Sequence, residues 1–303
     1  MISDKEIFCP NNLLDVAHKK KGVSAGIVNA GKPLPMLSVM DAVKEELIIP
    51  TFIGDKKEIE KCANDLKFDI SKFDIVNEPD ENSTAKAAAK LASKNKIKII
   101  VKGHIHTDVL MKEVIKKEYN LIGKTRLSHI WHMTLDKEDK PLIITDGALN
   151  VLPNIKTKMH ILKNVVNFSN RIGIDKPKVA VLSATEEVLD SVQSSLDAKE
   201  ITELALKEKI NADVFGPLAF DNSVSKKSAA IKGIENFVAG QADVLLVPNV
   251  ETGNALVKMM IYFMGACAAG VVVGGKVPVV ITSRSDEASA RLASMAAAVV
   301  ALD

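Results

Sequence analysis

Aromatic residues are scarce in this chain of 303 residues, at 4% of the total with a single tryptophan. Base-stacking platforms for single-stranded nucleic acid depend on such side chains. Charge of one sign is also lacking. Forty Lys and Arg face 38 Asp and Glu, a formal net charge of +2, whereas a nucleic-acid footprint needs clustered basic residues. Cysteine is rare: Cys9, Cys62 and Cys267 lie far apart and are odd in number, with no CxxC pair. That excludes a zinc ribbon, a thioredoxin-type site and a disulfide framework, and it fits a reducing cytosol. Long apolar runs are missing as well. The longest, 265–275, stops at Lys276, too short for a bilayer, and MISDKEIFCPNN has no apolar core of a secretory signal. The expectation is a cytoplasmic protein with neither a nucleic-acid nor a membrane partner.

What is present is an ordinary globular composition, 47% hydrophobic and 26% charged. The length predicts one large or two medium domains. A chain of this size buries about three-quarters of its surface without staples. Short runs rich in Val and Ile (23–29, 48–54, 73–77, 97–101, 129–135, 142–145, 179–183, 212–215, 243–247, 270–273 and 277–281) read as strands. Most are continuously apolar, as in a parallel sheet covered on both faces. Helical segments are expected at 41–47, 56–65, 83–94, 107–117, 156–172, 201–210, 253–264 and 286–301, with Ser83 as an N-cap. Such alternation means an α/β fold. The turn-rich stretch at Asn150–Pro153 marks a boundary, with one α/β domain before it and a second after it.

Ligands of open α/β sheets sit beyond the carboxyl ends of the strands. Four loops therefore matter: KGHIHT at 102–107, SATEE at 183–187, PNVETGN at 248–254 and TSRSD at 282–286. Two nucleotide signatures fail. The GKT at 123–125 lacks the glycine five positions earlier, where Glu118 stands, and VVVGGKV at 271–277 leads into another strand.

His104 and His106 have a metal-like HxH spacing, with His129, His132, Asp108 and Asp146 available as further ligands. Metal ligation, substrate contact and plain loop histidines all remain open. Ser283 and Arg284 stand at a strand–helix junction, where a hydroxyl can serve an oxyanion and a guanidinium can grip phosphate oxygens. The bland alternative is a helix start with Ser285 as cap and Asp286 and Glu287 complementing the dipole. Asn249, Glu251, Thr252 and Asn254 follow a strand, with Gly253 allowing close backbone approach; a simple turn and cap is the alternative. Lys112, Lys124 and Arg126 are further anion candidates, or solvated surface.

At these loops the chain resembles the phosphate acetyltransferase and phosphate butyryltransferase family. The resemblance rests on GPLAFDNSVS at 216–225, KGIENFVAGQADVLLVPNVETGN at 232–254 and VPVVITSRSDEAS at 277–289. Shorter pieces are IVNEP at 75–79, VKGHIHT at 101–107, GKTRLSHI at 123–130 and ITDGALN at 144–150. The butyryl branch looks closer than the acetyl branch. The resemblance implies two α/β domains with a cleft between them, like isocitrate and isopropylmalate dehydrogenases. The C-terminal strand and helix would rejoin the first domain, giving 1–149 plus 265–303 and 150–264.

It also implies a homodimer or higher homo-oligomer, no cofactor and no metal, and CoA as a substrate rather than a prosthetic group. The implied reaction is reversible acyl transfer between CoA and inorganic phosphate through acyl phosphate. Ser283 and Arg284 would be catalytic, and Lys112, Thr107, His104, Lys124, Arg126, Asn249, Glu251, Asn254 and Asp286 would bind substrate. No acyl-enzyme is implied, and no cysteine falls in a family motif. Two positions depart from the pattern. Ala290 stands where the acetyl branch has an aspartate for the CoA thiol, and Lys112 stands where the butyryl branch tends to have arginine. The alternatives are a phosphate acetyltransferase, a non-catalytic acyl-CoA-binding protein and an HxH metal-dependent hydrolase.

Overall fold

A computed structural model describes residues 2–137, 140–282 and 287–302. In chain order the elements are α1 (Asn11–Ala17), β1 (Val23–Val28), α2 (Pro33–Lys44), β2 (Ile48–Gly54), α3 (Lys56–Asp65), β3 (Ile75–Asn77), α4 (Glu81–Ser93), β4 (Ile99–Lys102) and α5 (Thr107–Val114). Then come β5 (Ser128–Thr134), β6 (Leu142–Thr145), α6 (Ile155–Arg171), β7 (Lys178–Leu182), α7 (Gln193–Lys207), β8 (Asp213–Leu218), α8 (Phe220–Val224) and α9 (Lys226–Ile231). The chain ends with β9 (Val244–Leu246), α10 (Val250–Met264), β10 (Cys267–Val273), β11 (Val279–Val280) and α11 (Ala288–Ala301). Each apolar run expected to be a strand overlaps one. The α/β class read from the alternation is the class the structure has.

The helices differ more. Helix α2 begins at Pro33, well before the expected residue 41, because proline suits a first helical turn that lacks amide partners. Helix α4 is capped by Asp80, not Ser83: the Asp80 carboxylate accepts from the amides of Asn82 and Ser83. Asp55 caps α3 in the same way. The short α1, α8 and α9 carry too few turns to show a period in sequence.

The chain groups into two compact units. The first unit holds Glu6–Lys124, Asp136–Glu138 and Cys267–Asp303. Its strands run in the order β3-β2-β1-β4-β11-β10. The pairs β3/β2, β2/β1, β1/β4 and β4/β11 are parallel, whereas β10/β11 is antiparallel. Helix α11 packs on β10 with a face of alanines, which lets helix and sheet approach closely. In this unit a Cβ on Gly123 would collide with the carbonyl oxygen of Gly274. The glycine of GKT thus serves packing, consistent with its failure as a phosphate loop.

The second unit holds Met1–Lys5, Thr125–Leu135 and Asp139–Ala266, with strand order β5-β6-β9-β7-β8. Here β5/β6 is antiparallel and the remaining pairs are parallel. The antiparallel pairs β10/β11 and β5/β6 thus depart from the parallel pairing expected for most strands. This unit takes in residues 125–135 and 139–149, which precede the turn at Asn150–Pro153. Strand β6 pairs with β9 through Ile143–Val244 and Thr145–Leu246, so it belongs with the later segment.

Candidate functional site

In the first unit, the carboxyl ends of β1, β4 and β11 surround a small cavity lined by Lys102, Gly103, Thr282, Arg291 and Ser38 among apolar neighbours. Lys102 is 6% exposed and Arg291 5% exposed. Nη1 of Arg291 donates to Oγ1 of Thr282 at 2.8 Å. The loop after β4 is pinned to the end of β1. The amides of Gly103 and His104 donate to the carbonyls of Val28 and Asn29, each at 2.8 Å, and Nδ2 of Asn29 donates to the His104 carbonyl at 2.7 Å. A Cβ on Gly103 would meet the carbonyl oxygens of Val28 and Asn29 at 2.6 and 2.5 Å, so only glycine allows this approach. Two cationic side chains, Lys102 and Arg291, thus line one small cavity at the carboxyl ends of these strands.

Sequence reasoning named the 102–107 loop but assigned no role to Lys102 and missed Arg291. The available signal for Arg291 was one charge inside an otherwise small and apolar helix, ASARLASMAAAVVA. Ser283, Arg284, Ser285 and Asp286 lie outside the described residues. Thr282, the last described residue before them, is buried at 5%. Glu287 precedes α11 and makes no side-chain capping bond. Ala290 is buried on α11, so its position belongs to the helix core.

Other predicted residues of this unit are distributed around α5. His104 and Thr107 are exposed at its start, Lys112 in its last turn, and Lys124 beyond it. Nδ1 of His106 lies 2.9 Å from the Glu81 carboxylate, an ion pair when the ring is protonated, which favours the plain reading of that histidine. Among the described residues, no three or more His, Cys, Asp or Glu are grouped to hold a metal ion. Burial pushes the thiols of Cys9 and Cys62 above their ordinary range.

The second unit assembles a different constellation at the ends of β6 and β9. Asp146, 2% exposed, directly follows β6. Its carboxylate accepts from the amides of His129, Ala148, Leu149 and Asn150 and from Nδ2 of Asn150. Oδ1 of Asn150 accepts from Nε of Arg126 at 2.9 Å. His129 and His132 are buried within β5 and desolvation drives both toward the neutral form, the Asp146 charge only partly opposing this at His129.

Asn249 caps α10, accepting from the amide and hydroxyl of Thr252 at 2.9 and 2.7 Å, so its side chain is committed to the cap. Gly253 lies against Gly147, where a Cβ would come within 2.6 Å of the Gly147 Cα. Glu251 and Asn254 are exposed on the first turn. Glu186, from the loop after β7, pairs with Lys232 at 2.9 Å and accepts from Nδ2 of Asn222 at 3.1 Å. The Lys232 contact lowers the Glu186 carboxyl below its ordinary range.

Anion-attracting groups beyond parallel strands are shared by many α/β enzymes, so the comparison with known proteins decides among them. The family model described as phosphate acetyl/butaryl transferase matches residues 81–299. The chain belongs to that family. A phosphate acetyltransferase of Rickettsia typhi is 38% identical over 285 residues, covering 93% of this chain and 82% of that protein. A phosphate butyryltransferase of Clostridium acetobutylicum is 37% identical over 283 residues, covering 92% and 94%. The crystal structure of a branched-chain phosphotransacylase from Enterococcus faecalis V583 superposes with a TM-score of 0.82 at 32% identity, covering 92% of this chain and 98% of that one. The expected family resemblance is thus confirmed, and with it the assignment to the transferases. The acetyl and butyryl names stand level in identity.

Proposed function

We propose that this member of the family catalyses reversible transfer of a short acyl group, butyryl or similar, between CoA and inorganic phosphate. The family match over residues 81–299 carries this reading. The buried Lys102 and Arg291, beside the chain segment that leads into Ser283–Arg284, support it. A phosphate oxygen attacks the thioester carbonyl, the tetrahedral intermediate collapses, and the C–S bond breaks to give acyl phosphate and CoA thiolate, which takes up a proton. Arg284 clamps the phosphate and Ser283 donates to the oxyanion. Holding two substrates at attack distance supplies much of the rate. Buried positive charge favours both the phosphate and the departing thiolate, whose intrinsic pKa of about 8.5 falls near cations. This role matters because Ala290 offers no base.

Acetyl transfer is the second reading, favoured by the acetyltransferase name of a relative at 38% identity. The protein acts in the cytoplasm as a homodimer. Exposed Met259, Tyr262, Phe263 and Met264 on α10 support a face covered by a second copy. Among the described residues, no helix is long and apolar enough to cross a membrane.

Free-thiol release from acetyl-, butyryl- and hexanoyl-CoA, with and without phosphate and in the presence of chelator, tests the reading. Release that requires phosphate and persists in chelator is expected. Release that ignores phosphate, or stops with chelator, overturns it.

A further inference from the structure

Resting on the phosphate acyltransferase reading, we infer that Asp146 and Asn150 are positioning residues that aim Arg126 at a phosphate group of a substrate. The Asp146 carboxylate is buried and saturated. Four backbone amides and one side-chain amide donate to it, at 2.7 to 3.3 Å. A carboxylate so enclosed is a fixed anchor rather than a mobile base.

Asn150, 7% exposed, passes that order outward. Its Nδ2 donates to Asp146 at 2.7 Å and to the Leu127 carbonyl at 2.9 Å. Reversing the amide would set an oxygen against two acceptors, so the network allows one orientation only. Oδ1 must then face Arg126, where it accepts from Nε at 2.9 Å.

Arg126 is exposed, yet it is held from three sides. Besides the Nε bond, its amide donates to Nδ1 of His160 at 3.1 Å, and its carbonyl accepts from Nδ2 of Asn164 at 2.9 Å. Its two terminal nitrogens make no hydrogen bond among the described residues. They form a planar pair of donors, oriented and ready for two oxygens of one phosphate. A merely solvated surface arginine needs no buried carboxylate and amide behind it. Lysine could not replace it, since an ammonium has no second nitrogen for Asn150 to hold. The phosphate belongs either to the transferred group, as inorganic or acyl phosphate, or to CoA itself.

A mutant cycle of Arg126→Ala, Asn150→Ala and the double variant tests the inference, with Michaelis constants measured for phosphate, acyl phosphate, CoA and dephospho-CoA. Arg126→Ala should raise KM for a phosphate-bearing substrate by about tenfold or more, as expected for loss of a charged hydrogen-bonding partner, with a smaller change in kcat. Asn150→Ala should raise the same constant, and the double variant should be no worse than Arg126→Ala. Arg126→Lys should not restore binding. A rise for phosphate and acyl phosphate assigns the transferred group, and one for CoA assigns the coenzyme. An effect lost on dephospho-CoA singles out the phosphate that compound lacks. Should Asn150→Ala fail to fold, Asn150→Ser takes its place. Unchanged constants in Arg126→Ala, or effects that multiply in the double variant, overturn the proposal. If the wild type lacks phosphate-dependent thiol release, the proposed function fails by itself. Calorimetric binding of CoA and phosphate to the same variants then decides the relay separately.

Discussion

The guanidinium of Arg291 donates to the Thr282 hydroxyl across 2.8 Å, both side chains being buried. This bond ties helix α11 to the residue that immediately precedes Ser283. It also places a permanent charge in the cavity that holds Lys102. Replacing Arg291 by methionine keeps length and removes charge and donor together. Turnover should fall by about tenfold or more, in the range of losing a preorganised charge near a reacting group. Steady-state assays on folded protein, verified by circular dichroism, check this, and wild-type turnover would show that the guanidinium only fills space.

Arg284→Ala should cost about two orders of magnitude or more in kcat/KM if that guanidinium clamps the phosphate. Ser283→Ala should lower kcat more than it raises KM, because oxyanion stabilisation is realised in the transition state and not in the ground-state complex. A loss confined to KM would make the serine a binding group alone.

Neither Cys9 nor Cys62 is expected to take part in the chemistry. Burial raises Cys9, and the nearby Cys267 and Glu45 push the same way. Burial likewise raises Cys62. Little thiolate therefore exists near pH 7, and the thiolate is the reactive form. Incubation with iodoacetamide at pH 7 should leave acyl transfer intact. Rapid inactivation, prevented by acyl-CoA, would point to a covalent acyl-cysteine and overturn the direct mechanism.

The strands were legible because burial on both faces leaves a continuous apolar run, as at Ile99, Ile100 and Val101 of β4. Turn chemistry was less legible. Ser83 looked like a cap, but Asp80 lies three residues earlier and offers a carboxylate to two amides. Of the candidate site, the loops were found and the partners were not. Arg126 could be named as an anion candidate, yet the residue that orients it comes 24 positions later, and spacing on one element says nothing about such a contact. Likewise the HxH pair suggested metal until Glu81, 25 positions upstream, proved to be the partner of His106. Arg291 was hidden by the rule that isolated charges on helices face solvent. Long-range burial overrides that rule, and local pattern does not reveal it.

Buried histidines make stability fall in mild acid. Burial pushes His132 down from its ordinary 6.5 to about 4, and its Nδ1 has no hydrogen-bond partner. His129 beside it is lowered for the same reason. Between pH 6.5 and 4 the unfolded chain binds a proton at His132 that the folded chain does not. Stability is therefore whole above pH 6.5 and drains away as pH drops toward 4, by about 3 kcal/mol for this one residue at the lower limit. Substituting leucine removes the titrating group and the unpaired nitrogen together. Thermal unfolding midpoints at pH 7 and pH 5 should differ by several degrees less in His132→Leu than in the wild type. An equal pH-dependent drop in both proteins would mean that His132 accepts its proton in the fold.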